Sequence, residues 1–191
     1  MAPVPKSVQQ TGAICQPGNQ RGFTLIDLLF VVALIGVLCA MALPAFMRAR
    51  GAAQASSALG TMRAINSGQL GFAITCGLGF YAPDLPSLGI KPPASSHAFL
   101  PDSLTSGATI VRHGYDFTVV GTPMAGAPAT CNGLGSGQSA SGYAIIADPL
   151  RTDATVRHFA TNADSVLYEH TATLNGVMPE SGVPPAGNPI R

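Results

Sequence analysis

Between Phe23 and Met47 the chain reads FTLIDLLFVVALIGVLCAMALPAFM, an apolar run of 25 residues with one ionisable carboxylate, Asp27. Any fold must find a place for this run. As a helix it would be about 37 Å long, enough to cross a hydrocarbon layer of about 30 Å. It is apolar on all sides, which suits a membrane span or the core of an assembly better than one face of a globular domain. A carboxylate at the centre of a spanning helix costs roughly 2.5–3.5 kcal/mol, so Asp27 is a candidate functional residue. Gly36 and Pro44 interrupt the run. Proline removes a backbone hydrogen bond and crowds the preceding turn, costing ~3 kcal/mol in a helix interior. Membrane helices tolerate such breaks where neighbours satisfy the freed groups, and a kink is expected.

The helical pattern continues past Arg48 to about Cys76, becoming alanine-rich and amphipathic. Leu59, Met62, Ile65, Leu70 and Phe72 recur at near-helical spacing, and ordinary core packing against a sheet accounts for such a stripe. Glycine and proline end the helix beyond Gly77. Residues 81–106 read as loop, with a short helical turn at Asp102–Thr105. Strand signals lie at Tyr115–Val120, Gly142–Ile146, Val156–Phe159 and Ser165–Tyr168, the last two forming a hairpin around Asn162–Asp164. Residues 121–141 are rich in Gly, Ser, Ala and Pro. The expected organisation is a leader over 1–22, a spanning helix over 23–47, its amphipathic continuation over 48–76 and a β-meander domain over 77–175. A poorly ordered tail over 176–191 completes it. The fold class is α+β: a long N-terminal helix, membrane-spanning in its first half, packed on a small antiparallel meander.

Composition narrows the function. Net charge is +1 and charged residues make up 10% of the chain, so no basic face for nucleic acid is expected. What remains of 191 residues after leader and span is one small domain, too modest for an enzyme with a deep pocket. His97, His113, His158 and His170 show no metal-ligand spacing. Asp148, Asp153, Asp164 and Glu169 form no compact calcium loop and read as surface acids. Gly133–Gly137 is glycine-rich but lacks the lysine and following helix of a phosphate cradle, and Ser139 and Ser141 complete no nucleophile elbow. No catalytic residue, metal or cofactor is therefore expected. Of the cysteines, Cys15, Cys39, Cys76 and Cys131, only Cys76 and Cys131 fall in the expected soluble part. In an oxidising compartment they either bridge or stay separate thiols, and spacing alone does not choose. Lys6 and Arg21 before the run balance Arg48, Arg50 and Arg63 after it, so charge does not orient the span.

The segment Arg21-Gly22-Phe23-Thr24-Leu25-Ile26-Asp27 resembles the processing site of type IV prepilins and of the pseudopilins of type II secretion. The match holds from Gly22 to Ile26 and departs at Asp27, where that family carries glutamate. The resemblance implies cleavage after Gly22 by a prepilin peptidase and methylation of the new Phe23 amine. It also implies that the stretch between Gly36 and Pro44 loses helicity when the subunit leaves the bilayer. It implies a single-pass protein of the bacterial inner membrane that assembles with copies of itself into a helical filament. The partners so implied are the peptidase, an assembly ATPase and its inner-membrane platform. The filament would be a pilus on the cell surface or a periplasmic pseudopilus. Calcium, bound by major pseudopilins in a C-terminal loop, finds no matching cluster here. A model α-amino group titrates at about 7.7–8.0, so the Phe23 amine would be a cation at neutral pH. Paired with Asp27 of a neighbour, it would fix the stagger of helices otherwise free to slide, as one polar residue fixes coiled-coil register. Two alternatives stand beside the pilus reading. One is a type II secretion pseudopilin. The other is an exported binding or enzymatic domain whose ordinary signal peptide ends at Ala40-Met41-Ala42, giving a mature chain from Leu43. A lipoprotein cut before Cys39 fits poorly, because bulky Leu38 precedes it.

Overall fold

The computed structural model describes residues 22–151 and 156–190. The expected leader residues 1–21 and Asp153 lie outside the described residues. The chain divides into two units, one ending at Ala45 and the other running from Phe46 to Arg191. A single helix, α1 (Leu25–Thr75), runs through that boundary.

In the first unit α1 carries its apolar side chains uncovered on every side: Leu25, Phe30, Leu38 and Met41 are all well over half exposed. The helix is long and apolar enough to cross a membrane by length and composition. It is assigned as helix without a break through Gly36 and Pro44.

In the second unit the same helix becomes one-sided. Ala58, Met62, Ile65, Gln69 and Phe72 recur every three or four residues and are fully buried. Leu70, placed on the packing stripe by spacing, is 55% exposed. The core-facing position beside it belongs to Gln69, about 100° round the helix, so Leu70 points away. Gln69 is buried because its amide pairs with both backbone groups of Ala82, accepting from the N–H at 2.9 Å and donating to the carbonyl at 2.9 Å. Without it, two backbone groups in an apolar setting would lose their partners, at about 1–3 kcal/mol each.

Six strands form one antiparallel sheet in sequence order: β1 (Thr109–Arg112), β2 (Tyr115–Val120), β3 (Ala144–Pro149), β4 (His158–Asn162), β5 (Tyr168–His170) and β6 (Asn188–Pro189). Two were not expected. β1 is joined to β2 by a two-residue turn, with Arg112 opposite Tyr115 and positive φ at both His113 (52°) and Gly114 (80°). That geometry matches the right-handed twist of a hairpin. β3 begins two residues later than expected, and β4 runs from His158 through Asn162, where a turn had been placed. A short helix, α2 (Leu85–Gly89), interrupts the expected loop, with the Ser87 amide donating to the Asp84 carboxylate at 2.9 Å. The expected turn at Asp102–Leu104 is a 3-10 helix.

One sheet face supplies Ile110, Phe117, Val119, Ile145, Ala147 and Phe159 to the main core, which they share with Met62, Ile65 and Phe72 of α1. Polar groups fix how helix and sheet meet. The Tyr143 hydroxyl donates to Asn66 at 3.0 Å, and the Asn66 amide donates to Thr161 at 3.4 Å. Burial pushes the Tyr143 hydroxyl up to about 12.

The opposite face builds a second core from Ala144, Ile146, Ala160, Tyr168, Leu174 and Met178. Here the expectation of a loose tail over 176–191 is corrected. Met178 is buried, and Asn188–Pro189 pair with Tyr168 and Glu169. The Glu180 carboxylate accepts from the Thr122 amide at 2.7 Å, and its backbone carbonyl accepts from Ala163 at 3.1 Å. The prolines and glycines that suggested disorder serve instead to bend the chain across the sheet.

Candidate functional site

Phe23 and Asp27 open the exposed end of α1. Phe23 is 80% exposed, and the helix begins two residues beyond it at Leu25. Thr24 caps that start. Its hydroxyl donates to Asp27 Oδ2 at 2.5 Å and its backbone N–H to the same oxygen at 3.2 Å. In return the Asp27 amide approaches the Thr24 hydroxyl at 3.3 Å. This reciprocal arrangement is a capping box, in which side chains satisfy donors that the first helical turn leaves open. The T-x-x-D spacing is its sequence signal. Asp27 thus has a structural duty in the single chain, and as an acid in the first turn it also complements the helix dipole. A carboxylate offers about four lone-pair sites, so the box leaves acceptor capacity for a further donor.

Gly22 stands next to this cap. A methyl group built on it would meet nothing within 4 Å, and the same is true of Gly36. Neither glycine is required by close packing within the described chain.

At the far end of α1, Cys76 and Cys131 are joined in a disulfide, S–S 2.07 Å, closing a separation of 55 residues. It ties the end of the helix to the irregular stretch 121–141, where the Cys131 amide also donates to the Cys76 carbonyl at 3.3 Å. Cys39 is a free, exposed thiol within the apolar half.

Of the acids read as surface groups, the three among the described residues, Asp148, Asp164 and Glu169, have partners. Asp148 takes His158 Nδ1 at 2.7 Å and the Thr173 hydroxyl at 2.6 Å, Asp164 accepts from the Gly182 amide at 2.8 Å, and Glu169 pairs with Arg157 at 2.7 Å. Asp116 faces Asp148 across the β2–β3 ladder. Burial, and secondarily the Asp148 charge, raise its carboxyl above the usual range. Among the described residues no group of three or more His, Cys, Asp or Glu is arranged to hold a metal ion.

One comparison with known proteins includes the same segment. The family model described as the prokaryotic N-terminal methylation motif matches residues 17–43. The type IV major pilin protein PilA of Myxococcus xanthus (strain DK1622) is 32% identical over 114 residues, which cover 60% of this chain and 50% of that protein. The type IV major pilin protein PilE1 of Neisseria gonorrhoeae is 50% identical over 40 residues, 21% of this chain and 24% of its own length. A fimbrial protein of Neisseria meningitidis serogroup B (strain ATCC BAA-335 / MC58) is also 50% identical over 40 residues, again 24% of that protein. The chain thus spans half the length of the Myxococcus relative and about a quarter of the Neisseria ones. No solved structure matches it.

Proposed function

From the premise that this chain is type IV pilin-like, we propose that it is the structural subunit of a type IV pilus-like filament, made as a membrane-anchored precursor. A prepilin peptidase cuts between Gly22 and Phe23, the Phe23 amine is methylated, and subunits join through α1. An assembly ATPase and an inner-membrane platform drive the transfer from bilayer to filament. The observation that carries the reading is the uncovered apolar half of α1, headed by a lone acid. Lipid covers it in the precursor, and sibling helices cover it in the filament.

The chemistry lies in that exchange of environment. A helix passing from lipid into a helical bundle gains little hydrophobic free energy, because both surroundings are apolar. Direction and register must come from something polar. After cleavage the Phe23 ammonium is a cation at the rim of a greasy bundle, and Asp27 of the next subunit is the acid that can meet it. Each alone would be costly to bury, while together they are tolerated. The capping box suits this role, since it folds Asp27 back toward the N-terminal turn, where an incoming amine arrives. The shorter reach of aspartate is thereby offset. Gly36 and Pro44 weaken the helix where subunits must adjust to one another. The named relatives are pilus proteins, which favours a pilus over a secretion pseudopilus.

Gly22 supplies the test. A side chain there would obstruct the approach of the peptidase, although the folded chain itself has room for one. Gly22→Val is expected to accumulate in the membrane as full-length precursor, with mature subunit reduced at least about a hundredfold, equivalent to roughly 2.7 kcal/mol in transition-state binding. Immunoblots of membrane and sheared-filament fractions read the outcome. Mature-sized subunit in the variant would remove Gly22 as the processing determinant.

A further inference from the structure

We infer that the head binds the phosphate of an anionic phospholipid headgroup in an arginine-rich groove that begins where the apolar run stops. The inference rests on the membrane-anchored stage of the function proposed above and is independent of polymerisation.

The groove encloses about 550 Å³ within the second unit. Its walls are the α1 turns from Met47 to Ala55, the tip of the β1–β2 hairpin at Gly114 and Tyr115, and the residues around the end of β3 at Pro149–Arg151. These walls are tied together. The Leu150 amide donates to the Gly114 carbonyl at 3.0 Å, and a methyl on Gly114 would stand 3.0 Å from the Gln54 amide nitrogen. The hairpin tip therefore sits directly against the helix.

Arg48, Arg151 and Arg157 line this space, and among the described residues its lining contains no acid. Each of the three is already engaged: Arg157 pairs with Glu169 at 2.7 Å, and Arg48 and Arg151 have interactions of their own. A guanidinium has five N–H donors, so one partner does not exhaust it. Its planar fork suits phosphate oxygens better than an ammonium would. Met47, Tyr115 and Leu150 give the same groove apolar surface, which a free inorganic anion would not use but a glycerol backbone and the first acyl carbons would.

The choice of a lipid headgroup over other phosphates follows from chain continuity. Arg48 succeeds Met47, the last residue of the apolar run, and is displaced from it by only about 1.5 Å along the helix axis. A helix that leaves hydrocarbon at Met47 enters the headgroup layer at Arg48. Headgroup phosphates are the anions most concentrated there.

Full-length protein in neutral detergent, titrated with short-chain phosphatidylglycerol or phosphatidylcholine and read by native mass spectrometry, tests this. Wild type is expected to retain phosphatidylglycerol preferentially. Arg48→Gln and Arg151→Gln should each bind it about fivefold more weakly, the equivalent of the ~1 kcal/mol that one basic side chain contributes at an anionic surface. Arg112→Gln, whose guanidinium bonds Ser103 outside the groove, should bind like wild type. Thermal midpoints matching wild type show that the variants fold. Equal retention of both lipids, or unchanged binding by both groove variants, overturns the inference. So does displacement of the lipid by an equal concentration of inorganic phosphate, which would reassign the groove to a free anion. Variants that hold lipid normally but no longer form filaments would make the groove a contact between copies instead. Alkaline carbonate extraction of cells keeps the two readings apart. A chain released from the membrane sinks the anchored precursor itself, while a retained chain without lipid preference sinks only the groove.

Discussion

Asp27→Ala subunits are expected to be cleaved and methylated like wild type and to enter filaments roughly a hundred- to a thousandfold less efficiently, or worse. The estimate follows from leaving one member of a buried ion pair alone, at roughly 3–5 kcal/mol. The capping box complicates the interpretation, because the same substitution removes the hydrogen bonds that Thr24 makes to Asp27 Oδ2. Thr24→Ala separates the two effects. It breaks the cap and leaves the carboxylate, so its cost should be that of a lost N-cap, about 1 kcal/mol, or roughly fivefold in incorporation. Asp27→Glu should assemble close to wild type, since glutamate preserves both the charge and the capping geometry. Competition between tagged variant and wild-type subunits in one strain, with sheared filaments quantified by immunoblot, gives the three ratios directly. If Asp27→Ala enters filaments as readily as Thr24→Ala, the acid acts only as a cap and the inter-subunit pair is lost from the account.

Removing the Cys76–Cys131 bridge should be the largest stability change available in the head. A cross-link closing a loop of 55 residues stabilises by about 4 kcal/mol if it acts mainly on the unfolded chain. For a domain of this size that corresponds to a fall of about 10 °C in the thermal midpoint. The bridge joins the helix end to the stretch 121–141, which lies outside the six-stranded ladder and is held by scattered turns and by bridges between Ala140 and both Tyr81 and Pro123. Its loss should therefore loosen that stretch first, leaving it to hydrogen bonds such as that from the buried Asn132 amide to the Ser87 carbonyl at 2.9 Å. Circular dichroism melts of the full-length protein in detergent, comparing wild type with Cys76→Ser/Cys131→Ser, measure the shift. Replacing both cysteines avoids leaving a lone thiol. A midpoint unchanged to within a degree or two would show that the surrounding hydrogen bonds carry the stretch by themselves.

The parts of this fold that could be read in advance are those where one pattern dominates over many residues. The apolar run from Phe23 to Met47 and the three- to four-residue recurrence of Met62, Ile65 and Phe72 announce α1 without help from elsewhere. Strand β2 follows from its alternation of buried and partly exposed side chains. Short elements that depend on long-range partners were not legible. β1 has four residues, and its turn carries histidine where Asn or Asp would have signalled a hairpin. β6 has two residues and exists only because β5 lies beside it. The tail was misread because proline and glycine count as breakers whether a segment is loose or folded over a sheet, and only the burial of Leu174 and Met178 tells the cases apart. Leu70 was placed inward by spacing alone, since nothing local reveals that Gln69 satisfies the Ala82 backbone.

The residues of the proposed sites divide in the same way. Gly22, Phe23 and Asp27 stand together in a short contiguous motif, so the sequence alone singles them out. The capping box was equally local, and its T-x-x-D spacing was there to be recognised. The arginine groove was not, because Arg48 lies about a hundred residues before Arg151 and Arg157 and lines the same space only when β3 and the hairpin tip close against α1.

The most direct measurement is mass spectrometry of the subunit N-terminus in filaments sheared from cells. A chain that starts at Phe23 and carries one extra methyl on its amine is the predicted result. A subunit still beginning at Met1, or one beginning at Leu43 after ordinary signal-peptide removal, would contradict the account.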